Sequence, residues 1–387
     1  MSARVGIDIG AAGVRVVETS GLNADSHTQI TKAAIVPLHP GAVVGGRIVD
    51  QVAVAWAVAK AVKDAGVSSH GVILGLASAN TALVRFAVPA ALKPDEWPLA
   101  FRSSGKIFSP LVPLGSAAVS MYPIQDVSEL RATDVGATRI LQVAMVRQQD
   151  VDVLLAVAKA AKVTPMAIDL AGAATMRCLT RAVPGNTDVL TLVDVGATKI
   201  TVATRHGLHV RSLRTTEGGG ADITRALIGL HDCTYAEADD LKMGLRVAPA
   251  DAAARREQVA AVAAMYGTTE ETSVHDESDT SERSIEAVTG AAEKIIDTIV
   301  SIIETDAADH PSAPTTGIVL CGGTPLLRGF KERLVQRVNV PAHVARPWAS
   351  VVPGKRTSSV LTGESEEPVM LLALATATGL AMWKQAN

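Results

Sequence analysis

Asp8 and Asp194 hold the same place in two copies of one short phrase. The first reads Val5-Gly6-Ile7-Asp8-Ile9-Gly10-Ala11-Ala12-Gly13-Val14-Arg15-Val16, and the second reads Leu192-Val193-Asp194-Val195-Gly196-Ala197-Thr198-Lys199-Ile200-Thr201. Each is a β-branched strand carrying an Asp, then a glycine turn, then a second strand. A carboxylate beside an open backbone turn suits a Mg²⁺-bound polyphosphate. The acid holds the cation directly or through water, and the turn's N–H groups grip the phosphates. Neither copy has the Lys-Ser/Thr ending of a Walker loop or the triple-glycine spacing of a dinucleotide fold. Taken singly, each reads more readily as a plain strand end; facing each other, the two could clamp one nucleotide.

Two further glycine clusters add to the pair. Gly218-Gly219-Gly220 precedes a predicted helix, where glycine permits close backbone approach and the helix N-terminus favours an anion. A simple flexible loop is the competing reading. In Gly317-Ile318-Val319-Leu320-Cys321-Gly322-Gly323-Thr324-Pro325, an apolar strand ends in a flat Gly-Gly turn that could lie under a nucleoside. A tight strand-to-helix turn is the alternative there. A partial echo, Asp134-Val135-Gly136-Ala137-Thr138, lacks an apolar strand before it and reads as an ordinary turn. His206, His209 and His231 share no helical face and read as scattered hairpin or surface histidines rather than a metal site.

The elements that must position these groups alternate between strand and helix. In the first half, hairpin 4–19 is followed by strand 30–36, helix 52–62 and strands 72–76 and 80–88. Lys93-Pro94-Asp95-Glu96 opens a helix, with Pro and acids in its first turn. Pro110 to Pro123 reads as irregular and 126–134 as a polar loop. Strand 139–146, helix 150–162, strand 165–169 and helix 171–179 follow, up to a break at Pro184-Gly185-Asn186. In the second half come strands 189–194, 199–205 and 208–213, then the helix opened by 217–222. The acidic, Ser/Thr-rich run 268–283 has too little apolar surface to offset its ordering entropy and is expected to be a mobile loop. An amphipathic helix at 284–303, a strand at 316–320 and a helix capped by Thr324 with Pro325 at its first position complete the pattern. The fold class is therefore α/β, built by duplication of a half-domain.

Composition fits a globular protein: 387 residues, 48% hydrophobic, 19% charged, net charge −3. That is enough chain for two domains with real cores, and the charge gives no reason to expect nucleic acid. Cys178, Cys233 and Cys321 are scattered and read as free thiols in a reducing compartment. No leader is read before the first strand. Segment 369–382 is too short to span a membrane and is expected to be a buried helix.

Taken together, a phosphate turn at 8–15, a second at 194–201, a glycine turn before a helix and an adenosine motif at 317–329 resemble the superfamily of actin, the heat-shock chaperone ATPases and the sugar kinases. Within it the whole chain resembles the PilM family of type IV pilus assembly proteins, relatives of the cell-division protein FtsA. The most specific stretches are Gly6 to Gly10 with Val14-Arg15-Val16-Val17-Glu18, and Gly322-Gly323-Thr324 with Gly329. Ala238-Asp239-Asp240-Leu241-Lys242 is similar to the family's Ala-Glu-x-x-Lys helix beside adenosine.

The resemblance implies an actin-like ATPase fold of two duplicated, ribonuclease H-like lobes. The first spans 1–185, with an inserted SHS2-type subdomain at about 79–164. The second spans 186–387, with a nucleotide-capping subdomain at about 215–315. It implies ATP and Mg²⁺ in the cleft: Asp8 and Asp194 as metal-shell ligands, and Gly10, Ala11, Ala12, Arg15, Gly196, Ala197, Thr198, Gly218, Gly219, Gly220, Asp239, Lys242, Gly322, Gly323 and Thr324 around the nucleotide. It also implies a PilN-type inner-membrane partner bound through its cytoplasmic N-terminal segment. Location would then be cytoplasmic, at the membrane only through that partner, with self-association left open.

Three departures weigh against fast turnover. Ala11 and Ala12 stand where the family has Ser, Arg15 where it has Lys, and Asp239 where it has Glu. Nucleotide binding with at most slow ATP hydrolysis is the expectation. A group to orient the attacking water belongs near Asp169-Leu170-Ala171-Gly172, where Asp169 is the titratable candidate and equally a cap for the next helix. A sugar kinase would need a base beside a polar pocket, whereas the insert offers apolar residues with Trp97, Phe101 and Phe108, suited to packing on a partner peptide. An FtsA-like filament former would need an amphipathic membrane helix, which Leu380 to Asn387 does not read as.

Overall fold

The computed structural model describes residues 4–20, 28–105, 112–124, 138–180, 189–207, 209–249, 275–345, 351–353 and 372–383. The expected loop at 126–134, the echo at 134–137, the break at 184–186 and Phe108 lie outside them.

The first half opens with β1 (Arg4–Gly10), β2 (Gly13–Ser20) and β3 (Thr28–Pro37), then a small hairpin of β4 (Val43–Val44) and β5 (Arg47–Ile48). Helix α1 (Gln51–Ala65) follows; the Asp50 side chain accepts from Ala53 N at 2.9 Å, and Gly66 closes the helix in the left-handed region. Next come β6 (His70–Leu76), β7 (Thr81–Pro89), α2 (Trp97–Arg102), β8 (Ala117–Pro123), β9 (Thr138–Arg147), α3 (Gln148–Ala160), β10 (Thr164–Leu170) and α4 (Ala171–Leu179). The second half runs β11 (Val189–Val195), β12 (Lys199–His206), β13 (His209–Glu217), α5 (Gly220–His231), α6 (Tyr235–Gly244), α7 (His275–Asp309), β14 (Gly317–Cys321), α8 (Phe330–Val338), β15 (Ala342–Val344), β16 (Val351–Pro353) and α9 (Ala375–Ala381).

The duplication is visible in the sheets. The first has the order β10-β6-β1-β2-β3-β16 and the second β15-β14-β11-β12-β13. In each, the founding strand has its hairpin partner antiparallel on one side and two parallel crossover strands on the other. Both founding strands are central in their sheets and buried on both faces: Ile7, Leu192, Val193 and Val195 are fully covered.

The second sheet packs one face on α5, α7 and α8 through Ile223, Leu227, Ile296, Ile299, Phe330 and Leu334. Its other face shares a core with the first lobe around α4 and α9, where Val17, Met176, Leu192, Leu213 and Leu374 meet. Helix α9 seats in the first lobe against β1 and α4. A Cβ on Gly6 would strike the Ala377 carbonyl, and one on Gly379 would strike the Ala174 carbonyl. The chain's last described helix and β16 thus complete the first lobe, so the expected division at 185 does not separate the lobes.

The insert is a three-stranded antiparallel sheet, β7-β9-β8, with α2 on it. It ends at Arg147, earlier than 164, because α3 turns its Leu154, Val157 and Ala158 into the first-lobe core. Trp97 and Phe101 are buried in the insert's own core, where Phe101 meets Phe86 edge-on at 5.1 Å. They are therefore not the peptide-docking surface the sequence implied.

Other expectations also change. Ala117–Pro123 is a strand, β8, because its pairing with β9 outweighs its proline-flanked composition. Residues 275–283 are helical, not loop: they continue a helix whose Ser284 and Val288 are buried, and a nucleated helix extends at one hydrogen bond per residue fixed. Thr324 and Pro325 form a single 3₁₀ turn, and α8 begins after Gly329.

Candidate functional site

The two Asp-Gly turns face each other across a cleft of about 660 Å³. In the first turn Asp8 and Arg15 are directly opposed in the β1–β2 register. Their side chains pair at 3.5 Å, and Arg15 also donates to the Gly13 carbonyl at 3.2 Å. The guanidinium lies over Gly10, where a Cβ would sit 2.8 Å from it. Ala11 and Ala12 form the two-residue tip.

In the second turn Asp194 is 8% exposed and sits between Thr201 and Cys321 in the sheet register. Burial pushes its carboxyl above the usual carboxylate range and nearby Asp8 adds to this, while Lys199 and Arg15 pull the other way. A buried carboxylate facing a second one across the cleft invites a cation between them. Gly322 comes so close that a Cβ would stand 2.8 Å from Asp194 Oδ1.

The glycine run has a different task from the one expected. Gly218 N donates to the Thr198 carbonyl at 3.2 Å, Gly220 N to Gly196 at 2.9 Å and Ala221 N to Ala197 at 2.8 Å. Gly219, at φ +142°, leaves no room for a Cβ against the Gly196 carbonyl. The run therefore braces the second turn from behind. Gly220 lines the cleft and Gly218 and Gly219 do not. Thr324 joins the brace, its hydroxyl donating to the Gly196 carbonyl at 3.2 Å.

On the opposite wall, α6 starts at a Thr234 cap, with Glu237 accepting from Thr234 N at 2.8 Å. Asp239 and Lys242 pair with each other, and Lys242 donates to Thr224 Oγ1 at 3.0 Å. Tyr235, Asp239 and Lys242 lie at i, i+4 and i+7 on one face, and all line the cleft. Tyr235 was missed by sequence reading although that spacing points to it; its hydroxyl is pushed up by burial and then by Asp239. Arg225 and Met243 were missed too, as were Leu372, Ala373 and Thr376, which arrive from the chain's far end.

Asp8, Gly10, Ala11, Ala12, Arg15, Asp194, Gly196, Ala197, Thr198, Gly322, Gly323 and Thr324 are thus brought together with Gly220, Asp239 and Lys242. Asp169 is not. It pairs with Arg177 at 2.8 Å and accepts from Leu170 N, outside the cleft, and makes no cap to α4. His206 and His209 sit in register near the β12–β13 turn, far in sequence and setting from His231, which bonds Ser284 at 2.8 Å.

A doubled five-strand order with facing Asp-Gly turns defines an actin-like ATPase, and that fold implies nucleotide binding. The family described as "Type IV pilus assembly protein PilM" matches residues 6–254, and the chain belongs to that family. The family "MreB/Mbl protein" matches residues 191–365. Among solved structures, "PilM-PilN type IV pilus biogenesis complex" is similar over 98% of this chain and 97% of that one, at 20% identity and TM-score 0.74. "MamK double helical filament" is similar over 99% of each, at 12% identity and TM-score 0.50. Among the described residues no helix is long and apolar enough to cross a membrane.

Proposed function

We propose that this chain is an ATP-binding cytoplasmic scaffold of type IV pilus assembly that couples nucleotide state to a PilN-type inner-membrane protein. The observation that carries the reading is the pair Asp8 and Asp194, both buried and facing one cleft, in a PilM-family fold. The residues fit Mg-ATP. Two carboxylates with water and phosphate oxygens make a usual Mg²⁺ shell, and the burial that raises the Asp194 carboxyl, with Asp8 adding to it, is a cost that a divalent cation would offset. Bound there, Mg²⁺ neutralises charge on the phosphates.

The chain's own groups divide the rest. The tip of the first turn, at Ala11 and Ala12, and Ala197 and Thr198 of the second offer backbone N–H groups to phosphate, with Arg15 adding positive charge. Gly322, Gly323 and Thr324 present a flat wall, while Asp239, Lys242 and Tyr235 face the nucleoside end. With Asp169 held by Arg177, no described carboxylate besides Asp8, Asp194 and Asp239 lines the cleft. This supports a nucleotide held as a signal with at most slow hydrolysis, and leaves the sugar-kinase reading without a separate base.

Partner engagement is carried over from the family and the PilM–PilN likeness, and it supports attachment at the inner membrane through the partner. The test is calorimetric titration of Mg-ATP into wild type and Asp8→Ala/Asp194→Ala. It is paired with capture of the PilN N-terminal cytoplasmic segment with and without Mg-ATP. Equal Mg-ATP affinity in the double variant would overturn the cleft assignment, and failure to capture the segment in either state would overturn the scaffold role.

A further inference from the structure

The hairpin of β4 and β5 reaches from the first lobe to the second at the phosphate end of the cleft. Its turn is Gly45-Gly46, with φ of +57° and +81°. Gly45 N donates to Thr198 Oγ1 at 3.2 Å, across 153 residues of sequence. The Thr198 hydroxyl in turn points its own proton at the Val43 carbonyl, at 3.5 Å. One residue past the turn, Arg47 pairs with Glu217 at 3.1 Å. Glu217 ends β13, next to the glycine run that braces the second turn. The crossing bears on the first glycine, since a Cβ on Gly45 would run into the Glu217 side chain, while Gly46 is fixed within the first lobe, where a Cβ would meet the Ala77 carbonyl.

Thr198 lines the cleft, whereas Arg47 and Glu217 do not. Its hydroxyl has one proton to give, and at 3.5 Å the Val43 carbonyl is a poor acceptor. A charged phosphate oxygen is a better one. A hydroxyl that donates to an anion also becomes a stronger acceptor for the N–H behind it. The chain phosphate, Thr198 hydroxyl, Gly45 N–H would then tighten as a unit when the terminal phosphate is present.

We infer that hairpin 43–48 is a cross-cleft clasp that senses the terminal phosphate through Thr198, is held by Arg47 and Glu217, and sets how long a triphosphate stays bound. This rests on the nucleotide-binding reading above and adds a device by which triphosphate and diphosphate states differ in lobe closure. It places the discrimination on backbone and on an ion pair that touches no nucleotide.

The experiment measures release of ribose-labelled fluorescent ATP and ADP, each with Mg²⁺, by stopped flow from the full chain. Arg47→Ala and Glu217→Ala are each expected to speed ATP release about two- to fivefold, the range for an exposed ion pair. ADP release should change less, and the double variant should be no faster than either single one. Gly45→Val, which cannot close against Glu217, should exceed them. Without nucleotide, the same variants should lose hydrogen-exchange protection across 43–48. ATP release at the wild-type rate in all of them overturns the clasp, and equal acceleration of ATP and ADP overturns phosphate sensing. A wild-type protein that binds neither nucleotide instead overturns the function on which the clasp depends.

Discussion

Gly6 belongs to the phosphate phrase, yet its role in this fold is to seat a helix. Replacing it with alanine tests that directly. The added Cβ would stand 2.6 Å from Ala381 N and 2.8 Å from Leu380 Cβ, and closer still to the Ala377 carbonyl. Clearing Ala381 N alone, from 2.6 Å to the 3.4 Å of ordinary contact, requires α9 to withdraw by about 0.8 Å, and clearing the nearer Ala377 carbonyl requires more. The obstacle is backbone, so no side-chain rotation relieves it, and the neighbouring Gly379–Ala174 contact on the other flank fixes the same helix. Overpacking of this kind costs about 1–3 kcal/mol, and a rigid backbone obstacle places Gly6→Ala near the top of that range. For a lobe of this size, ~3 kcal/mol corresponds to a fall in melting temperature of about 6–12 °C. Thermal melts and urea denaturation of the nucleotide-free protein measure it. A melting point within about 2 °C of wild type, less than ~1 kcal/mol, would refute the seating argument.

Three other substitutions test separate parts of the structure. Asp194→Asn should stabilise the nucleotide- and Mg²⁺-free protein at neutral pH. The folded-state carboxyl is raised above its unfolded value of 3.8, so wild type loses stability as pH rises through the folded value. The advantage of the variant should shrink as pH falls toward 3.8, and denaturant midpoints at two pH values check the sign. Arg211→Ala should cost about 3 kcal/mol, because it removes the guanidinium from Asp306, only 4% exposed, and leaves it His310 Nδ1 at 3.5 Å in place of the pair that ties α7 to β13; urea titration reads it. Gly290→Ala, exposed within α7 and with nothing within 4 Å of the added Cβ, should instead stabilise by about 0.5–1 kcal/mol in the same titration.

What the sequence disclosed was set by period and repetition. Strands such as Val189–Val195 and helix Ala171–Leu179 are legible because their apolar content and flanking breaks are local. The two acidic turns are legible because they occur twice. Strand β8 is not, since its stability comes from its pairing with β9, and neither is the N-terminal stretch of α7, whose composition is acidic and Ser/Thr-rich. At the site, Asp8 and Asp194 could be found from their repetition, and Asp239 and Lys242 from the family resemblance, while Tyr235 on the same α6 face was missed. The bracing task of Gly218 and Gly219 could not, because glycine before a helix looks the same whether its N–H groups meet a ligand or another turn. Asp169 misled for a related reason: its partner Arg177 is one helix away, and only packing reveals that the pair is closed. Trp97 and Phe101 misled because an aromatic cluster in an insert has the same composition whether it faces inward or out.

The return of α9 to β1 has a consequence for how the protein is made. Gly6 leaves the ribosome some 370 positions before the helix that fills the space above it. Until that helix emerges, the founding strand of the first lobe has one face uncovered, and Leu372, Ala373 and Thr376 are missing from the cleft wall. The second lobe's strands β11 to β14 are all synthesised before then and can pair among themselves, so the half of the molecule translated first is the half completed last. Nascent chains stalled short of residue 372 are therefore a natural substrate for chaperones, with apolar β1 exposed while the rest of the chain has already paired.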